Sequence, residues 1–201
     1  IRKQYNKRNI NEAKSLTIGG TQYPSNIFSM WSNSELATIG IVPVTIDNTN
    51  FKDKEYYINT NQSFAYNTET GVATASYGTA TAKSMTDTFY TAEDEAKGLG
   101  TEGELKAKGL KTQKKEIINS QAGDILAPTD WMVIRATEGG TAVPSSITTK
   151  RAAVRTKANS MCAQIDGAAN VDALAALYTY TNTGTEESPV FTRPLGELPT
   201  V

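Results

Sequence analysis

The chain has 201 residues, 38% of them hydrophobic, with 20 Lys and Arg against 21 Asp and Glu, one cysteine and no histidine. The missing histidines exclude a Ser-His-Asp triad, a Cys-His dyad and the common mixed zinc site, and the lone Cys162 excludes an internal disulfide or a four-cysteine cage, so neither metal nor cofactor is expected. Charge is even along the chain, 9 basic to 10 acidic residues up to position 100 and 11 to 11 beyond it, which gives no footprint for nucleic acid.

What the composition does favour is surface. Thr occurs 28 times and Asn 14 times, residues that suit half-exposed strands, turns and caps, with modest cores between them. The start is basic, with Arg2, Lys3, Lys7 and Arg8 around Tyr5, and reads as an arm that docks onto a neighbouring subunit. No apolar stretch follows it, so it is not expected to act as a secretory signal. The first residue is not Met, as a processed or truncated start would give. No run of about 18 apolar residues occurs, and membrane insertion is not expected.

In chain order, Ser15–Ile18, Gly19-Gly20 and Thr21–Tyr23 form β-formers around a two-residue glycine turn, which predicts a hairpin ended by Pro24. Ser32-Asn33-Ser34-Glu35 matches a capping box and predicts a short helix stopped by Gly40. Ile41–Ile46 follows as a β-branched run whose Pro43 argues for an edge strand. Gln62–Tyr66 and Val72–Tyr77 read as two antiparallel strands around a turn at Asn67–Gly71, with at least one face exposed. Thr91 to Gly109 is acidic and then glycine-rich, and reads as a linker into a helix from about Glu104 to Gln121. That helix carries Leu110, Ile117 and Ile118 on its apolar side, and Gly109 weakens it by roughly 1 kcal/mol. Trp131–Arg135 fits either a strand or a helix capped by Asp130, and Gly139-Gly140 ends it. From Pro144, Ile147, Arg151, Val154, Ala158, Met161 and Ile165 recur at spacings of 4, 3, 4, 3 and 4, a one-sided helical stripe. Asn170 caps a last helix with Val171, Leu174 and Leu177. The fold class is therefore α+β: a β-rich domain over 1–90, a linker over 91–103, a helical region over 104–180, and an extended Pro/Thr-rich tail over 181–201.

Chemical motifs are few. Gly98-Leu99-Gly100-Thr101-Glu102-Gly103 satisfies the dinucleotide pattern but lacks the buried strand that must precede it, so it reads as linker. A glycan hydrolase would need paired carboxylates. Glu93, Glu95, Glu102 and Glu104 lie in a polar stretch without an apolar cradle to part their pKa values, and Glu35 is the capping-box partner. Lysines 97, 106, 108, 111, 114 and 115 are interspersed with acids and read as a solvated face rather than an anion site. Cys162 reads as a small buried hydrophobe. Trp31 and Trp131 are weighed equally as interface anchors and as packing residues. A carbohydrate-binding surface suits the Trp, Tyr, Asn and Thr content, but spacing alone shows no aromatic platform.

Two segments carry a resemblance. Ile18–Asn26 with Trp31, Ser32, Glu35, Leu36 and Ile39-Gly40-Ile41 resembles the opening of tailed-bacteriophage tail proteins and tail-fibre assembly proteins. Ile125–Arg135, then Ala142-Val143-Pro144, Arg151–Arg155, Ile165 and Val171–Leu177, is similar to their C-terminal region. The resemblance implies a non-catalytic virion protein of the tail, baseplate or fibre-attachment region, made in the host cytoplasm and acting through contacts with other tail, baseplate or fibre proteins or with copies of itself. A tail-fibre assembly chaperone that binds the fibre's C-terminal end is the alternative, and a glycan hydrolase the remote one. No catalytic residue is carried over. The candidate interface residues are Tyr5, Trp31, Trp131, Arg135, Arg151 and Arg155.

Overall fold

A computed structural model describes residues 15–201, which belong to two compact units divided between Thr81 and Ala82. Tyr5 and the basic arm lie outside the described residues. Both strands and helices are present, strands mainly in the first unit and long helices in the second, so the α+β expectation holds.

The first unit opens with the hairpin. Strands β1 (Ser15–Ile18) and β2 (Thr21–Pro24) pair antiparallel with Ile18 opposite Thr21. Gly19 and Gly20 supply the turn at φ +56° and +87°, a left-handed pair that residues with a Cβ rarely adopt. Helix α1 (Ile27–Met30) and helix α2 (Asn33–Thr38) follow. The capping box is complete: the Ser32 N–H donates to Glu35 Oε2 at 2.7 Å, and the Glu35 N–H donates to Ser32 Oγ at 3.3 Å. Leu16, Ile27, Leu36 and Ile41 bury together, with Tyr23 and Trp31 packed around them.

A three-stranded sheet follows, with β6 (Val72–Ser76) between β3 (Val44–Asp47) and β5 (Ser63–Asn67). The β5–β6 pairing is antiparallel and β3–β6 parallel, and the strand after Pro43 is an edge. Asn67 shapes the β5–β6 turn by accepting from the N–H groups of Glu69 and Thr70. Because strand side chains alternate, one face carries the rows Val44–Ala73–Tyr66 and Ile46–Ala75–Phe64, and the other Thr45–Thr74–Ala65 and Asp47–Ser76–Ser63. Ala73 and Ala75 of the central strand are buried, while Ile46, Phe64 and Tyr66 on the flanking strands are exposed. Two-residue strands β4 (Tyr57–Ile58) and β7 (Thr81–Ala82) complete the stretch.

In the second unit, the segment expected as a linker is ordered local structure. Strands β8 (Thr88–Phe89) and β9 (Leu105–Ala107) pair antiparallel, and helix α3 (Ala92–Ala96) lies in the connection between them. Thr91 and Asp94 form a second capping box, and the Tyr90 N–H to Glu104 O and Gly103 N–H to Tyr90 O bonds, both 2.9 Å, close the loop. The expected helix start near Glu104 is thus a strand. Helix α4 (Leu110–Leu126) begins later, with Gly109 as its N-cap, outside the helix. Gly109 does not weaken the helix. A Cβ there would lie 2.3 Å from the Thr86 carbonyl carbon, so close backbone approach is what requires glycine.

Helix α4 is followed by a short 3-10 turn (Ala127–Thr129), helix α5 (Asp130–Thr137), helix α6 (Ser145–Gly167) and helix α7 (Val171–Tyr178). Helices α4 and α6 run antiparallel: Lys111 near the start of one donates to the Asp166 carbonyl near the end of the other, and Arg151 near the start of α6 donates to the Leu126 carbonyl. The predicted stripe faces inward, with Arg151, Val154, Ala158, Met161 and Ile165 buried against Ile118 and Ala122 of α4 and Leu174 of α7. Ile117 is instead exposed, because on a 3.6-residue period it points about 100° away from Ile118. Asn170 caps α7 by accepting from the Ala173 N–H at 2.8 Å.

The tail is also tied down. Strands β10 (Thr181–Asn182) and β11 (Phe191–Thr192) pair antiparallel. Leu195 is fully buried, its N–H donating to the Leu177 carbonyl and its own carbonyl accepting from Lys157 Nζ. Of the large apolar side chains among the tail prolines, Leu195 is the one fully buried, and its backbone bonds place it beside α6 and α7. Among the described residues no helix is long and apolar enough to cross a membrane.

Candidate interaction surface

Helix α5 is the element with the most unusual exposure. Asp130 in its first turn and Arg135 in its last complement the helix dipole. Gly139, at φ +86°, and Gly140 close it as a Schellman motif, with Gly140 N–H bonded to the Arg135 carbonyl and Gly139 N–H to that of Ala136. Yet none of its eight residues is buried. Trp131 is 53% exposed, Ile134 58% and Val133 40%. Trp131, Ile134 and Arg135 share one side of the helix at i, i+3 and i+4, and the Arg135 guanidinium sits 4.8 Å from the Trp131 ring centre.

Arg151 fixes this helix in place. It is the charged member of an otherwise apolar stripe and is 9% exposed. Its Nη1 donates to the Leu126 carbonyl at 2.8 Å and to Thr129 Oγ1, and its Nη2 reaches Asp130 Oδ1 at 2.6 Å. One guanidinium therefore caps the C-terminal end of α4, holds the 3-10 turn and anchors the first residue of α5. Such charge-assisted bonds contribute about 1.5–3 kcal/mol each when buried.

Of the candidate interface residues, Trp131, Arg135 and Arg151 come together here. Arg155, one turn beyond Arg151, is exposed, and among the described residues its side chain enters no hydrogen bond or ion pair. Trp31 lies in the other unit, edge-on to Tyr23 with ring centres 6.0 Å apart, as part of that unit's core. Val133 and Ile134, and the acceptors Leu126, Thr129 and Asp130, are not singled out by sequence reasoning. An arginine on an apolar stripe is the signal that a polar counterpart must exist, but spacing cannot name it.

The other motifs resolve into local structure. Glu93 pairs with Lys97 at 2.6 Å, and Glu95 accepts the Glu102 N–H. Lys106 pairs with Asp94, Lys108 with Glu116 and Lys115 with Asp166. Lys114 departs from the expected solvated face: it is buried, with its ammonium 4.5 Å from the centre of the Tyr178 ring. The glycine pattern at 98–103 follows helix α3, not a strand. Cys162 is half-buried, and burial pushes its thiol up, away from reactivity. Among the described residues no group of three or more His, Cys, Asp or Glu could hold a metal ion. Comparison of the chain with known protein families, with curated proteins and with solved structures finds no match in any of the three.

Proposed function

We propose that this chain is a non-enzymatic structural component of a tailed-bacteriophage virion, in the tail, baseplate or fibre-attachment region, acting through protein–protein contacts. The observation that supports a contact role is helix α5: eight residues without a buried one, presenting Trp131 and Ile134 to solvent on one side from a seat fixed by Arg151. An exposed apolar cluster on a rigid element is what an interface core needs, since preorganised aromatic anchors lose little entropy on binding. The viral assignment comes from the sequence resemblance.

Mass spectrometry of purified particles, with crosslinking, tests the reading. The chain should be present in mature virions, with crosslinks from the α5 region to tail, baseplate or fibre proteins or to a second copy. Its absence from virions, together with a stoichiometric complex with the fibre's C-terminal region on co-expression, would replace this reading with the assembly-chaperone one. Clearing of host envelopes that is lost in a Glu93→Gln, Glu95→Gln double variant would instead establish the hydrolase.

A further inference from the structure

The first unit contains a concavity of about 410 Å³ at the end of the three-stranded sheet, with Phe51, Phe64, Tyr77, Lys54, Asn61 and Gln62 in its wall. Its size lies within the roughly 300–1,000 Å³ of small-ligand sites. Three aromatic rings meet there: Phe51 and Tyr77 are 5.1 Å apart and tilted by 56°, and Phe64, on the edge strand β5, is 53% exposed. The surrounding backbone is held by its own polar groups. Asn59 donates to the Lys52 carbonyl at 2.7 Å and accepts the Lys52 N–H at 2.9 Å, Thr60 Oγ1 accepts the Gly78 N–H at 2.7 Å, and Asn50 donates to the Tyr77 carbonyl at 3.0 Å. The wall is therefore preformed. By contrast, among the described residues the side-chain amides of Asn61 and Gln62 enter no hydrogen bond.

We infer that this concavity binds a pyranose sugar ring of a glycan. A pyranose has an apolar C–H face that packs on an aromatic ring and an equatorial belt of hydroxyls that both donate and accept. Phe64, 53% exposed, offers the first surface, and Phe51, with the Lys54 ammonium 5.8 Å from its ring centre, borders it. The amides of Asn61 and Gln62, each with a carbonyl acceptor and an NH₂ donor, offer the second. A hydrocarbon ligand would leave the amides unmatched, and a phosphate would find a single lysine. The inference does not rest on the virion reading.

The test is saturation-transfer NMR on the full chain with glucose, galactose, N-acetylglucosamine and their linear trisaccharides at millimolar concentration. Transfer from aromatic protons to ring C–H protons of at least one sugar is expected, with affinity reduced at least tenfold in Phe64→Ala and severalfold in Asn61→Ala. Both side chains are exposed, so both variants should fold, which their NMR spectra will show. No transfer to any of these sugars, or transfer unchanged in both variants, would overturn the assignment.

Discussion

The two units solve the same problem, a chain poor in large apolar residues, in opposite ways. The C-terminal unit concentrates its apolar side chains on single faces of two long helices, where Ile118, Val154, Met161 and Ile165 are buried, and the short helix α7 and the tail add Leu174 and Leu195. The N-terminal unit spreads its own over short strands and turns. Its sheet has alanine on the central strand, and the large residues Ile46, Phe64 and Tyr66 sit on the edges and remain exposed. A helix of 23 residues can bury five or more positions on one stripe, whereas a four- or five-residue strand offers two or three per face. Element length, more than composition, divides core from surface here.

The largest effect expected from this contrast comes from truncating equivalent side chains. Ile165→Ala should cost about 2–5 kcal/mol through lost burial and a cavity, while Ile46→Ala, on an exposed edge, should fall within about 0.5 kcal/mol. Each unit has one tryptophan, so denaturation followed in the Trp31→Phe and Trp131→Phe backgrounds reads the units separately. Equal losses would mean that the sheet buries Ile46 against something in solution.

Arg151→Ala comes next. It should cost about 2–3 kcal/mol, because the Leu126 carbonyl and Thr129 hydroxyl lose a buried donor. It should also release α5, seen as faster quenching of Trp131 by acrylamide. Arg151→Lys should recover only part of both, since an ammonium cannot reproduce the forked contact. Unchanged Trp131 quenching in Arg151→Ala would show that α5 is held by other means. A smaller effect, about 1 kcal/mol, is expected from Ser32→Ala, which removes the α2 cap in the N-terminal unit, and a similar one from Asn170→Ala at α7.

Extremes of pH should open the comparison from both sides. Burial, with Glu55 and Asp53 nearby, pushes the Tyr56 phenol up to about 12. A raised folded-state pKa contributes stability that is complete below the ordinary phenol value of about 10 and is lost as pH rises toward 12. The N-terminal unit should therefore lose melting temperature across that window, and Tyr56→Phe should flatten the loss. In the C-terminal unit, hydrogen bonds from the Gly109 N–H and the Thr112 hydroxyl hold the Asp87 carboxyl below the usual range. That contribution is present above about pH 3.9 and is lost as pH falls through the lowered value, so Asp87→Asn should make the acid transition shallower.

Much of the local structure is legible in the amino-acid sequence. The Gly19-Gly20 hairpin, the Ser32–Glu35 box, the paired strands around Asn67–Gly71, the Arg151–Ile165 stripe and the Asn170 cap all depend on residues within a few positions of one another, and each is where periodicity and turn chemistry placed it. Where structure and local pattern differ, the cause is long-range. The constraint on Gly109 is the backbone of Thr86, 23 positions away, and not the helix that follows it. Prolines mark the tail as extended, yet Leu195 docks through residues 18 and 38 positions earlier. The candidate surface was half visible: Trp131, Arg135 and Arg151 stood out by type, whereas the apolar run around Trp131 could not be assigned to helix or strand without its neighbours.

Composition and short-range pattern were thus sufficient for the α+β class and most caps and turns, because these follow from residue type and from spacing over a turn or two of chain. Tertiary structure alone decided which apolar groups were left outside. Burial depends on what another segment covers: Arg151 reaches back to Leu126 and Asp130 and so leaves Trp131 facing solvent, while Trp31 is absorbed into a core with Leu16 and Ile41. Two tryptophans of equal standing in the sequence end in opposite environments because long-range packing, not their own neighbours, sets the solvent each one sees.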